Sequence, residues 1–132
     1  MQLDWSKYPN FGEHEFKCPH TDRADMCPVF MGKLQTLRTG YGKPMTVTSG
    51  YRDPDYNDKI SSTGKNGVHT LGKAVDIAID NGMQAHDIVR LAMQLGFTGI
   101  GVRRKKDGHD FVHLDTATVV EDGKPRPALW TY

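Results

Sequence analysis

The chain has 132 residues, 37% hydrophobic and 25% charged, with 14 Gly and 7 Pro; that is the size and balance of one globular domain spanning 1–132, and it excludes a disordered or collagen-like chain. Seventeen Lys and Arg against 16 Asp and Glu leave a net charge of +1, too little for a nucleic-acid binder held by phosphate contacts, so a charged ligand needs a local site. No apolar run approaches the ~20 residues that cross a bilayer, so membrane insertion is not expected.

The stretch Met1 to Trp5 lacks the basic and apolar segments of a signal peptide, which predicts residence in the cytoplasm. Two cysteines, Cys18 and Cys27, are too few for a disulfide scaffold, so stability must come from the core. Trp5, Tyr8, Phe11 and Phe16 stand among polar residues and turn formers, so the first 27 residues read as a surface wrap with aromatic anchors. Pro28 suits a first helical position; Val29, Phe30, Leu34 and Leu37 recur near helical spacing, with Gly40 as the expected end. Met45–Ser49 is β-branched and runs into Gly50, which predicts a strand and a turn. Tyr51 to Gly67 reads as a long polar loop, of the kind that often carries function.

Ala74–Ile79 alternates small or acidic residues with branched aliphatics, which predicts a strand with one greasy face and Asp76 on the other. Ala85, Ile88, Val89, Ala92 and Leu95 fall on one side of a helix over Gln84–Leu95, with Gly96 at its end. Phe97–Val102 and Phe111–Leu114 read as strands joined by a hairpin turn at Asp107-Gly108. After Asp115 the chain reads as irregular, with Trp130-Thr131-Tyr132 folding back onto the domain. These elements give an α+β fold.

Three segments set potential metal ligands beside the expected strands: His69, Asp76 and His113. Two imidazoles and one carboxylate leave a fourth tetrahedral position open, the pattern of a catalytic rather than a structural zinc site. The seven residues from His69 to Asp76 allow a loop, a turn at Gly72 and entry into a strand, while Ala74 and Ala78 flank Asp76 and leave room for metal and substrate. His14, Cys18, His20 and Cys27 could form a second zinc site, although their spacing is not a familiar finger pattern. Arg103–Lys106 is a basic run at a hairpin, expected to be a solvated tip.

His69-Thr70-Leu71-Gly72-Lys73-Ala74-Val75-Asp76 resembles the H-x-x-G-x-A-x-D element of peptidase family M15, the group of zinc D-alanyl-D-alanine carboxypeptidases and L-alanyl-D-glutamate endopeptidases. Ser49-Gly50-Tyr51-Arg52, Asn57, Phe111-Val112-His113-Leu114-Asp115 and Glu15-Phe16-Lys17-Cys18 are also similar, the last to small bacterial and phage members. Gly67 departs from the pattern, since the family usually has Ser two residues before the first His.

The resemblance implies a small, largely antiparallel sheet packed against two or three helices, a fold shared with hedgehog-type domains. It also implies zinc on His69, Asp76 and His113, where the metal would polarise the scissile carbonyl and activate water. Asp110, three residues before the last His, is the base that the resemblance implies. Simple strand alternation points Asp110 away from His113 unless the strand begins after it, so Asp115 is the alternative base, or it holds His113 in the right tautomer. Arg52 is the expected clamp for a substrate carboxylate or developing oxyanion, with Ser49 and Tyr51 beside it at the substrate. The function expected is that of a zinc peptidase of peptidoglycan stem peptides, acting as a monomer. It would be a phage or prophage endolysin held in the host cytoplasm before release to the wall. A non-catalytic zinc-binding wall-docking or virion module is the alternative.

Overall fold

Alternation along Ala74–Ala78 decides which side of the sheet carries the core. In the computed structural model, which describes residues 3–132, this segment is strand β2; Met1 and Gln2, part of the stretch read for a leader, lie outside the described residues. It pairs along its whole length with β4 (Phe111–Asp115), placing Asp76 directly opposite His113. Strand β3 (Gly99–Arg103) pairs with the far side of β4 and β1 (Val47–Ser49) with β2; β5 (Ala128–Thr131) joins β3 in parallel, giving the order β1-β2-β4-β3-β5. The fold is α+β with a mostly antiparallel sheet, as expected.

Successive side chains on a strand point to opposite faces. Val75, Ile77, Ile100, Val112 and Leu114 therefore share one face, and all are buried. Asp76, His113, Asp115, Gly99, Gly101 and Trp130 share the other, because each lies opposite another of the set across the strands. The apolar face packs with Phe30, Met31, Leu34 and Leu37 of α1 (Pro28–Tyr41) and Ala85, Ile88 and Ala92 of α3 (Gly82–Gln94) in one core. Tyr8, Phe11 and Phe16 enter the same core, so the N-terminal wrap is anchored as expected, with Trp5 half-buried against Phe16.

Several expectations need correction. Helix α1 runs through Gly40 and ends at Gly42, whose φ of 71° lets its N–H reach the carbonyl of Arg38. Tyr51–Gly67 is not one loop: Asp53 caps a short helix, α2 (Pro54–Ile60), by accepting from the N–H of Asp55, and Pro54 sits at the first helical position. A 3-10 turn over Val68–Leu71 follows it. The β3–β4 connection is longer than a two-residue turn and uses positive φ at both Lys106 and Gly108. The C-terminal stretch is ordered as α4 (Val119–Asp122) and β5, neither of which its Pro- and Gly-punctuated sequence announces. Cys18 and Cys27 are free thiols.

Gly101 permits β5 to bring its aromatic rings over the sheet. A Cβ there would lie 2.8 Å from Cε2 of Trp130 and 3.0 Å from Cε2 of Tyr132. Gly101→Ala is expected to cost about 1–3 kcal/mol through overpacking, read by denaturant titration, and to shift tryptophan emission as Trp130 is displaced. An unchanged midpoint with unchanged emission would refute that packing role.

Candidate metal centre and active site

The register of β2 against β4 sets two of the three expected ligands side by side, and the 3-10 turn before β2 delivers the third. His69 lies on that turn, where its N–H at Nδ1 donates to the carbonyl of Gly50 at 2.8 Å and its own carbonyl accepts from the N–H of Arg52 at 3.1 Å. These bonds tie the turn to the end of β1 and leave Nε2 of His69 facing Asp76, 3.5 Å from Oδ1. Nδ1 of His113 lies 3.0 Å from the same oxygen. Its Nε2 donates to Oδ2 of Asp115 at 2.7 Å.

Ligand atoms of His69, Asp76 and His113 lie within 4.8 Å of one another, and all three residues are buried. Among the described residues no other group of three or more His, Cys, Asp or Glu comes together in this way, so the second zinc site read from His14, Cys18, His20 and Cys27 is not formed. The donor set fits a divalent ion such as zinc: two imidazole nitrogens and one carboxylate converge, and each ring's other nitrogen is already held by an acceptor, as metal-ligating histidines require. Beside the cluster lies a cavity of about 550 Å³ lined by Arg52, Thr63, His69, Asp76, His113 and Trp130, among others, which leaves space at the open side of the site.

Electrostatics reinforce the arrangement. Burial opposes ionisation of Asp76, but hydrogen bonding and charge from His113 and His69 hold its carboxyl well below the usual carboxylate range. Burial would lower the basicity of His113, yet the carboxylates of Asp115 and Asp76 outweigh it and raise the imidazole above its ordinary value. Asp115 is fully enclosed; burial works against its charge, and His113 and Arg126 more than restore it.

Arg52 stands at the edge of this cluster, with Nη2 3.6 Å from Oδ2 of Asp76. Its Nε donates to Oγ of Ser49 at 3.1 Å and its Nη1 to Oδ1 of Asn57 at 3.1 Å. Ser49 therefore orients Arg52. Tyr51 belongs to the hydrophobic core, where its side chain is buried with Phe16 and Cys18, and it borders a small cavity with Ser49 and Arg52. Asn57 is buried too, and its Nδ2 donates to Oγ1 of Thr63 at 2.9 Å and to the carbonyl of Gly64 at 2.5 Å. Thr63 explains the departure at Gly67. A Cβ on Gly67 would lie 2.7 Å from Nδ2 of Asn57 and closer still to Oγ1 of Thr63, so a threonine hydroxyl from the preceding loop fills the space of a serine side chain.

The two remaining carboxylates are placed differently. Asp110 precedes the first residue of β4, and its oxygens accept from the N–H groups of Lys105 at 2.6 Å and Lys106 at 3.0 Å. The Lys105 N–H, joined by that of Lys106 and by the Arg104 guanidinium, holds this carboxyl below its ordinary range against the cost of burial. Asp110 closes the β3–β4 connection and makes no hydrogen bond or ion pair to His69, Asp76 or His113, although it shares a shallow cavity with Ser49, Arg52 and Asp76. Arg103 and Arg104 both pair with it, so only the second half of the basic run is a free tip. Asp115 sits instead between His113 and Arg126.

Thr63, Arg126 and Trp130 are site residues that sequence reasoning missed. The ring of Trp130 packs on that of His113 with centroids 5.2 Å apart, and Tyr132 packs on Phe111 at 5.1 Å. The closing aromatic pair was the sole signal for this wall in the sequence.

Comparison with known proteins agrees with this geometry. The family model described as Peptidase M15 matches residues 10–115. Proteins named peptidoglycan L,D-endopeptidase MepK, from Escherichia coli strain K12 and from Shigella flexneri, are each 33% identical to this chain over 88 residues, which cover 64% of this chain and 46% of the relative. The match thus spans less than half the length of these curated relatives, and His69, Asp76 and His113 all fall within the segment that the family model covers. The chain belongs to the Peptidase M15 family.

Proposed function

We propose that the chain is a zinc-dependent peptidase that hydrolyses peptide bonds in the stem peptides of peptidoglycan. The observation that carries this reading is the buried convergence of His69, Asp76 and His113, with Arg52 beside them at the edge of a cavity. The relatives' names, with their reference to peptidoglycan L,D-endopeptidase activity, support the substrate class. A divalent ion on these ligands supplies Lewis-acid polarisation of a carbonyl and activation of water.

The chain's own residues supply the rest. Arg52, braced by Ser49 and Asn57, presents a planar fork to a substrate carboxylate or to the oxygen that gains charge during attack. Asp110 is the proposed proton acceptor, because it opens on the cavity that also touches Arg52 and Asp76, whereas Asp115 has no access to solvent. Trp130 and Tyr132 wall one side of the larger cavity. The segment Glu15-Phe16-Lys17-Cys18, similar to small bacterial and phage members alike, is compatible with an endolysin that another protein releases to the wall.

Incubation with purified peptidoglycan, with and without chelator, followed by mass spectrometry of released peptides, tests this function. Chelator-sensitive release of stem-peptide fragments is expected, and the bond cut separates a carboxypeptidase from an endopeptidase. Intact peptides with zinc fully bound would instead assign a non-catalytic docking module. Asp110→Asn is expected to lower kcat by about 10²–10⁴-fold while bound zinc per chain is unchanged; near-full activity would remove Asp110 as the base. Arg52→Lys, which keeps the charge but not the fork, is expected to lower kcat/KM by about 10²-fold, measured on a synthetic stem peptide.

A further inference from the structure

We propose that Arg126 is a positioning residue of the metal centre, acting through Asp115 on His113. Asp115 is completely enclosed, and each oxygen of its carboxylate is used twice. Oδ2 accepts from Nε2 of His113 at 2.7 Å and from Nη2 of Arg126 at 2.8 Å; Oδ1 accepts from Nε of Arg126 at 2.9 Å and from the N–H of Ala117 at 3.2 Å. A buried carboxylate left without its partner turns toward another donor or toward water. The two-pronged guanidinium engages both oxygens and so fixes the plane of this carboxylate. That plane sets the direction from which Oδ2 meets Nε2 of His113, and so holds the ring with Nδ1 toward Asp76.

The arginine is itself held. Its Nη1 donates to the carbonyl of Pro125 at 3.0 Å, and its guanidinium lies over the Trp130 ring, 5.1 Å from the centroid. The indole completes a loop by packing against His113. Gly99, across the ladder from Asp115, makes the arrangement sterically possible, because a Cβ there would coincide with the Asp115 carboxylate. Arg126 lies beyond the segment matched by the family model, so a residue outside that segment controls the orientation of a ligand inside it. The inference rests on the reading of His69, Asp76 and His113 as metal ligands.

The test measures zinc affinity by competition with a chromophoric chelator in the full chain. Arg126→Gln is expected to bind zinc about 10–100-fold more weakly than wild type, and Arg126→Lys to fall between, since an ammonium cannot engage both oxygens. The double variant Asp115→Asn with Arg126→Gln removes both buried charges together, so it keeps the wild-type circular dichroism yet still loses affinity. Proton NMR of the His113 Nε2–H in zinc-loaded protein supplies a readout that a purely structural role would not move: the resonance of this proton, held to Asp115, shifts upfield and exchanges faster with water in Arg126→Gln. Zinc affinity within twofold of wild type in Arg126→Gln or the double variant, or an unchanged Nε2–H resonance in Arg126→Gln, overturns the proposal. Wild type that binds no zinc overturns the ligand reading, and this inference with it.

Discussion

The register that sets Asp76 opposite His113 is the constraint on which the site depends. A slip of one residue between β2 and β4 would turn one ligand into the apolar core and bring Val75 or Ile77 out beside the other. The packing of Val75, Ile77, Val112 and Leu114 against α1 and α3 therefore does more than stabilise the sheet. It fixes the distance between a carboxylate and an imidazole drawn from positions 37 residues apart. The core and the candidate metal centre are two faces of one ladder, and neither can be altered in register without the other.

Around that pair the molecule arranges alternating charge. Arg52, Asp76, His113, Asp115 and Arg126 follow one another through contacts of 2.7–3.6 Å, basic groups separated by acidic ones. Each carboxylate is shared between a cation and a ring nitrogen. Such a chain tolerates burial because no member is left unpaired, and among the described residues no buried side-chain nitrogen or oxygen lacks a hydrogen-bond partner.

Much of this was legible in the amino-acid order. The alternation in Ala74–Ala78 pointed to both the strand and the face of Asp76, because a period-two pattern is a local property, while the ligand set His69, Asp76 and His113 came from residue type together with the resemblance to family M15. The helix at Pro54–Ile60 was hidden because it is short and polar, its start marked only by Asp53 and Pro54. The place of Asp110 was obscured by the hairpin, whose amides compete for its oxygens in a way that no spacing records. Arg126 could not be found from sequence at all: its partner is 11 residues away across a turn and a short helix, and nothing in Pro125-Arg126-Pro127 marks a buried ion pair.

The parallel strand β5 has a consequence in time. Its pairing with β3 spans a long crossover, and parallel ladders of this kind form only after the loop between them has closed. The aromatic wall and the arginine behind His113 thus depend on a non-local pairing, the kind that closes later than the antiparallel neighbours β3 and β4.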